Sequence, residues 1–140
     1  MQLHIIARGR IGRGPEADLV ARYEARMRGI LRVTELPDTG GKLAPAPTPA
    51  ISVVLDERGQ SLGSSALAQR IGRWRDDGMR EARFLIGAAD GHPDDVREGA
   101  DLLLAFGNAT WPHLLLRAML AEQLYRAEMI LAGHPYHREG

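Results

Sequence analysis

The chain has 140 residues, 44% hydrophobic and 26% charged, and its 18 basic and 18 acidic side chains cancel to zero net charge. That length suits a single domain spanning 1–140 with a core of its own, and no apolar run approaches the roughly 20 residues of a membrane helix. With no cysteine, disulfides, thiolate metal sites and cysteine nucleophiles are excluded, and the balanced charge argues against a protein that coats nucleic acid indiscriminately.

The opening "MQLHIIARGR" lacks a signal-peptide pattern, so a cytoplasmic location is expected. Residues 2–8 predict a first strand, followed by the glycine- and arginine-rich loop "GRIGRGP". Pro15 suits a first helical turn, and Leu19, Val20, Tyr23, Met27 and Ile30 recur at helical spacing over 16–30. A second strand follows over 32–37, then the proline-containing loop "DTGGKLAPAPTPA". "ISVVLD" (51–56) is a continuous apolar run typical of a strand buried on both faces; "ERGQSLGSS" then turns into a helix over about 64–77. "ARFLIG" (82–87) is the next buried strand, before the turn "GAADGHP" and a short helix through "DDVREG". "DLLLAF" (101–106) is the last strand, then "GNATWPH" and a long apolar helix from Leu114 to about Ala132. Its charges, Arg117, Glu122, Arg126 and Glu128, make no single solvated face, so both sides need cover and a second subunit is a natural one. Strands alternating with helices predict an α/β fold on a mainly parallel sheet flanked by helices.

Ligands of such sheets bind at the loops beyond the strands' carboxyl ends. Three loops qualify: after Leu55-Asp56, after Ile86 ("GAADG") and after Phe106 ("GNATWP"). Neither GxxxxGK[ST] nor a serine-hydrolase elbow occurs, and "GRIGRG" lacks the GxGxxG spacing; it reads as a basic surface loop. The tail "HPYHREG" (134–140) gathers two imidazoles, a phenol and a guanidinium. His134 and His137 alone, without cysteine or HExxH, do not make a zinc site, and no metal is expected.

"LDERGQSLGSSALAQRI", "FLIGAADG" and "WPHLLLRAMLAEQLYRAEMILAGHPYHRE" together resemble, in order and spacing, the RlmH family of SPOUT-class methyltransferases. The resemblance runs over nearly the whole chain. It implies a trefoil-knotted α/β domain, a homodimer, S-adenosyl-L-methionine as cofactor, and methylation of N3 of a pseudouridine in a hairpin of 23S ribosomal RNA on the assembled ribosome. By the same resemblance Leu55, Gly87 and the segment Phe106, Gly107, Asn108, Ala109, Thr110 and Trp111 contact the cofactor. The chain departs from the family's "IGGPEG" at Ala88 and Ala89, and from "LTLPH" at Trp111. Such a reaction needs in-line alignment, a base for the N3 proton, and a cation near the carbonyl oxygens. His113, Tyr136, His137 and Arg138 supply those chemical types, and which of them removes the proton stays open. Two competing expectations are a ribosome-binding protein of this fold that has lost catalysis, and a methyltransferase acting on another RNA.

Overall fold

The computed structural model of the chain describes residues 1–88 and 90–138. Five strands, β1 (Gln2–Arg8), β2 (Leu31–Leu36), β3 (Ala50–Ser61), β4 (Glu81–Ile86) and β5 (Leu102–Ala105), form one sheet in the order β2-β1-β4-β3-β5. Every pairing is parallel, so the carboxyl ends of all five strands lie along one edge. The helices are α1 (Pro15–Arg26), α2 (Ser64–Asp76), α3 (Asp94–Glu98) and α4 (His113–Leu131).

The core lies between one sheet face and three of these helices. Leu3, Ile5, Val53, Phe84 and Leu104 meet Tyr23, Leu67, Ile71, Leu120 and Leu124 in one buried cluster. Both α1 and α2 pack on α4. The first helix begins as expected at Pro15 but stops at Arg26, short of Ile30. Met27 leaves helical geometry (φ −121°, ψ 39°), and its carbonyl accepts from the amides of Ile30 and Leu31. The chain therefore turns directly into β2.

The largest departure from the sequence reading is β3, which runs to Ser61 instead of ending at Asp56. Leu104 of β5 faces both Leu55 and Gln60, so residues 56–59 bulge out between them. A bulge bends a strand and re-aims its side chains. Gly59 makes the return possible, since a Cβ there would lie 2.5–2.7 Å from backbone atoms of Leu103 and Leu104. No other residue fits against β5 at that point.

Two buried polar groups stand out. Arg117 of α4 is 1% exposed. It donates to Glu35 at 2.6 Å and to the carbonyls of Gly9 (3.0 Å) and Arg8 (3.4 Å). Glu35 also accepts from the Ile11 amide at 2.7 Å, so the pair ties the loop after β1 to α4. Burial pushes the Glu35 carboxyl up, but the Ile11 amide and Arg117 outweigh it and hold its pKa below the usual range.

His4, at the amino end of β1, bonds Glu81 through Nδ1 and Thr34 through Nε2, both at 2.7 Å. Burial lowers its pKa, against the pull of Glu81. The unfolded chain then takes up the proton more readily, so stability present above about pH 6.5 is lost as pH falls through that value. The urea midpoint should therefore fall between pH 7.5 and 5.5. His4→Gln should flatten that dependence in part, because burial lowers His92 in the same direction.

Candidate active site

At the carboxyl edge of the sheet, three segments enclose a cavity of about 630 Å³. The β3 bulge contributes Leu55, Asp56, Glu57 and Arg58; the end of β4 and the turn after it contribute Ile86, Gly87, Ala88, Asp90, Gly91 and His92; Thr110, Trp111 and Pro112 lead into His113, the first residue of α4. A smaller adjoining cavity of about 100 Å³ shares Leu55, Thr110 and Trp111 and adds Phe106 and Ala109.

Each wall is held by a specific contact. Asp56 accepts from the Arg58 amide at 2.8 Å and forms an ion pair with Arg97, whose Nε lies 2.7 Å away, which pins α3 to the bulge. Burial opposes its ionisation, but Arg58 and Arg97 prevail and hold the carboxyl below its usual range. Thr110 donates its hydroxyl to Glu57, and Trp111 Nε1 donates to the Phe106 carbonyl at 2.8 Å, closing the loop on itself. In the β4 turn the Gly91 amide donates to the Ala88 carbonyl at 2.9 Å. Gly87 sits so close to that turn that a Cβ would lie 2.9 Å from both the carbonyl carbon and oxygen of Gly91. His92 bonds the Leu85 carbonyl through Nε2 at 3.1 Å, and its burial keeps the imidazole pKa below the ordinary value.

Of the residues singled out in the sequence, Leu55, Gly87, Thr110, Trp111 and His113 line the main cavity. Phe106 and Ala109 line the adjoining one. Gly107 opens instead on a groove of about 490 Å³ beside α1 and α4, and Asn108 lines none of these three. Ala88, which replaces a family glycine, needs no left-handed backbone: among the described residues none but glycine has positive φ. Ala89 lies outside the described residues. Asp56, Glu57, Arg58, His92 and the supporting Arg97 were not anticipated as site residues; the glycine at position 59, inside an otherwise strand-like stretch, was the available sign of a bulge.

The tail goes elsewhere within its own chain. Tyr136 lies edge-on to Tyr125 (centroids 4.8 Å apart, 79°) and donates to Glu122 at 3.2 Å. Arg126 stacks over the Tyr136 ring and donates to His137 Nδ1 at 3.1 Å. Burial, with the neighbouring Tyr23 and Glu122, pushes the Tyr136 phenol up, so at neutral pH in this packing it is a donor, not a base. Glu122 follows His113 by nine residues of one helix, about 14 Å along its axis. In a single chain, therefore, His113 stands at the cavity while Tyr136 and His137 pack well down α4. Arg138 is exposed; Glu139 and Gly140 lie outside the described residues.

Residues 1–137 match a family model described as "Predicted SPOUT methyltransferase". The chain belongs to the SPOUT methyltransferase family. Two relatives named "Ribosomal RNA large subunit methyltransferase H" are similar over their whole lengths, at 68% identity in Rhizorhabdus wittichii and 67% in Novosphingobium aromaticivorans. Among solved structures, the SpoU methyltransferase AviRb from Streptomyces viridochromogenes superposes with a TM-score of 0.53 at 14% identity, covering 95% of this chain and 61% of that one. That likeness shows the fold: a parallel sheet flanked by helices, as SPOUT membership requires. The chain is a methyltransferase by family. Among the described residues no helix is long and apolar enough to cross a membrane, and no group of three or more acidic or imidazole side chains is placed to hold a metal ion.

Proposed function

We propose that this methyltransferase uses S-adenosyl-L-methionine to methylate N3 of a pseudouridine in a hairpin of 23S ribosomal RNA, on the assembled ribosome, as a cytoplasmic homodimer. The observation that carries the reading is the cavity at the strand ends, walled by the Leu55–Arg58 bulge, the Gly87 turn and the Thr110–His113 segment. It occurs in a chain 68% identical over full length to a relative named for large-subunit RNA methylation. The trefoil knot expected of the class would tie those three segments together.

The residues present fit the cofactor. The cavity lies within the roughly 300–1,000 Å³ of small-molecule sites. Leu55, Ile86, Trp111 and Leu116 offer apolar cover for a base, and Gly87 brings main chain close where a side chain would fill the space. Glu57 and Asp90 at the cavity favour a ligand with cationic groups, Asp56 being already paired with Arg58 and Arg97. Leu55, Gly87, Thr110 and Trp111 would hold it, with Phe106 and Ala109 behind. S-adenosylmethionine bound there supplies a methyl group already activated on a cationic sulfur.

The chain's own work is to align the acceptor and remove its proton. His113, at the cavity, and His137, on the tail, each offer an imidazole as the base for the N3 proton. Arg138 would face the carbonyl oxygens, where a fixed guanidinium offsets the negative charge that builds as N3–H ionises.

Because the tail packs away from its own cavity, a second copy is the source of Tyr136, His137 and Arg138 for each site. The groove beside α1 and α4, with Leu19, Leu62, Phe106, Leu115 and Met119 on its walls, gives that copy an apolar seat. The test is direct. Purified protein with tritiated cofactor should label the large-subunit RNA of assembled ribosomes, and a protein that neither binds the cofactor nor labels RNA would refute the proposal.

A further inference from the structure

The opposite end of the sheet carries a second cavity, of about 640 Å³, which methyl transfer leaves unused. There β1, β2 and β4 run side by side, with His4 level with both Arg32 and Arg83, and Gln2 level with Glu81. Strand alternation sends Leu3, Ile5, Ala82 and Phe84 into the core and turns the polar set to the other face. The loop carrying Lys42, Pro45 and Pro47 forms the outer wall.

Charge is concentrated here in a chain whose net charge is zero. Arg32, Lys42, Arg80 and Arg83 line the cavity against a single carboxylate, Glu81. That carboxylate is 2% exposed. One of its oxygens takes His4 Nδ1 and the other takes Arg83 Nε at 2.9 Å. Glu81 is thus spent inside the protein, fixing Arg83 by Nε. Among the described residues the two Nη atoms of Arg83 make no hydrogen bond, and Arg32, Lys42 and Arg80 have no carboxylate within ion-pair distance.

We propose that this basic cavity binds the phosphodiester backbone of the RNA whose target base enters the cofactor cavity. This rests on the RNA-methyltransferase reading and adds a second, remote anchoring point to it. Guanidinium groups match phosphate geometry and hold charge at any working pH. β4 begins at this cavity with Glu81 and reaches the cofactor cavity with Ile86, five residues or roughly 17 Å along a strand. The anchored phosphate therefore lies several nucleotides from the methylated base. A free small anion is a poorer match. Such sites gather main-chain N–H groups into a nest, whereas Pro45 and Pro47 on the wall have no N–H to give. The cations instead line an open groove, as a polyanion requires.

The test compares wild type with Arg32→Ala/Arg80→Ala, both positions being exposed, and with Arg32→Lys/Arg80→Lys. Binding to purified assembled ribosomes is followed from 50 to 200 mM KCl, with cofactor binding measured by calorimetry as the control for folding. The alanine pair should bind ribosomes at least tenfold more weakly, and its salt slope should be shallower by roughly 1.5, since each lost phosphate contact removes about 0.7–0.9. Its KM for ribosomes should rise with kcat and cofactor affinity unchanged, and the lysine pair should recover most of the loss. Wild-type affinity and slope in the alanine pair would overturn the proposal. So would stoichiometric binding of inorganic phosphate that the alanine pair loses while ribosome binding stays intact, or a wild-type protein that does not bind ribosomes. If wild type binds ribosomes without methylating them, the methyltransferase reading falls, and the drop in the alanine pair still decides the phosphate site.

Discussion

Gly87→Val is expected to abolish measurable binding of S-adenosylmethionine, and all methyl transfer with it. The Cβ of any replacement would stand 2.9 Å from the carbonyl carbon and oxygen of Gly91 and 3.3 Å from His92 Cδ2. The first two are backbone atoms of a turn closed by the Ala88–Gly91 hydrogen bond, so they cannot rotate away as a side chain would. Either the turn opens or the end of β4 shifts, and both displace the same wall of the cavity. We expect calorimetry to show a loss of at least about 100-fold in affinity, or about 2.7 kcal/mol, with cooperative thermal unfolding retained. Gly107→Val is the informative contrast. Its φ of +80° makes a substitution strained, but no atom lies within 4 Å of the added Cβ and the residue opens on the α1–α4 groove. Its effect on cofactor affinity should stay below about thirtyfold, given the roughly 1–2 kcal/mol cost of left-handed backbone. Wild-type affinity in Gly87→Val would show that this turn is not a cofactor wall.

Removing Tyr136 to Gly140 should leave cofactor binding intact and cut RNA methylation by a factor of at least about 10²–10⁴, the span of general acid–base assistance. The cavity is complete without the tail, whose Tyr136 and His137 pack on Glu122, Tyr125 and Arg126 instead. Single changes separate the roles. His137→Asn should lower kcat and remove a limb of the pH profile if that imidazole takes the proton, and Arg138→Ala should act mainly through KM for RNA. Mixing the tail deletion with Gly87→Val, each inactive alone, should restore activity. A mixed dimer places an intact tail beside an intact cavity only if the tail serves the partner's site. Full methylation by the truncated protein would remove the tail from the mechanism, and an inactive mixture would place it in its own chain's site.

Much of the frame was legible because it rests on local pattern. The apolar runs at 51–56, 82–87 and 101–106 appear as three of the strands, and the helical spacing after His113 appears as α4. The site was less legible because its supports are long-range. "ERGQS" is polar and reads as a turn, yet it belongs to the second half of β3, returning to β5 through a bulge that only Gly59 permits. Arg117 reads as one scattered charge on an apolar helix, but its acceptors lie on β1, its loop and β2, more than 80 positions earlier. No periodicity announces such a contact. His92 and Arg97 sit in a segment that reads as turn and short helix, and they matter because Leu85 and Asp56 lie beside them in space. The tail's chemistry was visible in its residue types, whereas its packing against α4, away from the cavity, follows from a chain reversal at Gly133 and His134.

The proposed reaction transfers methyl from S-adenosylmethionine to one nitrogen of one modified base. Its most direct test is to incubate the purified protein with labelled cofactor and ribosomes whose large-subunit RNA lacks the modification, digest that RNA to nucleosides, and identify the labelled product by mass spectrometry. A single labelled nucleoside is expected, pseudouridine methylated at N3, mapping to one hairpin of 23S RNA and missing with Gly87→Val. Label on another nucleoside, on another RNA, or on none would contradict it.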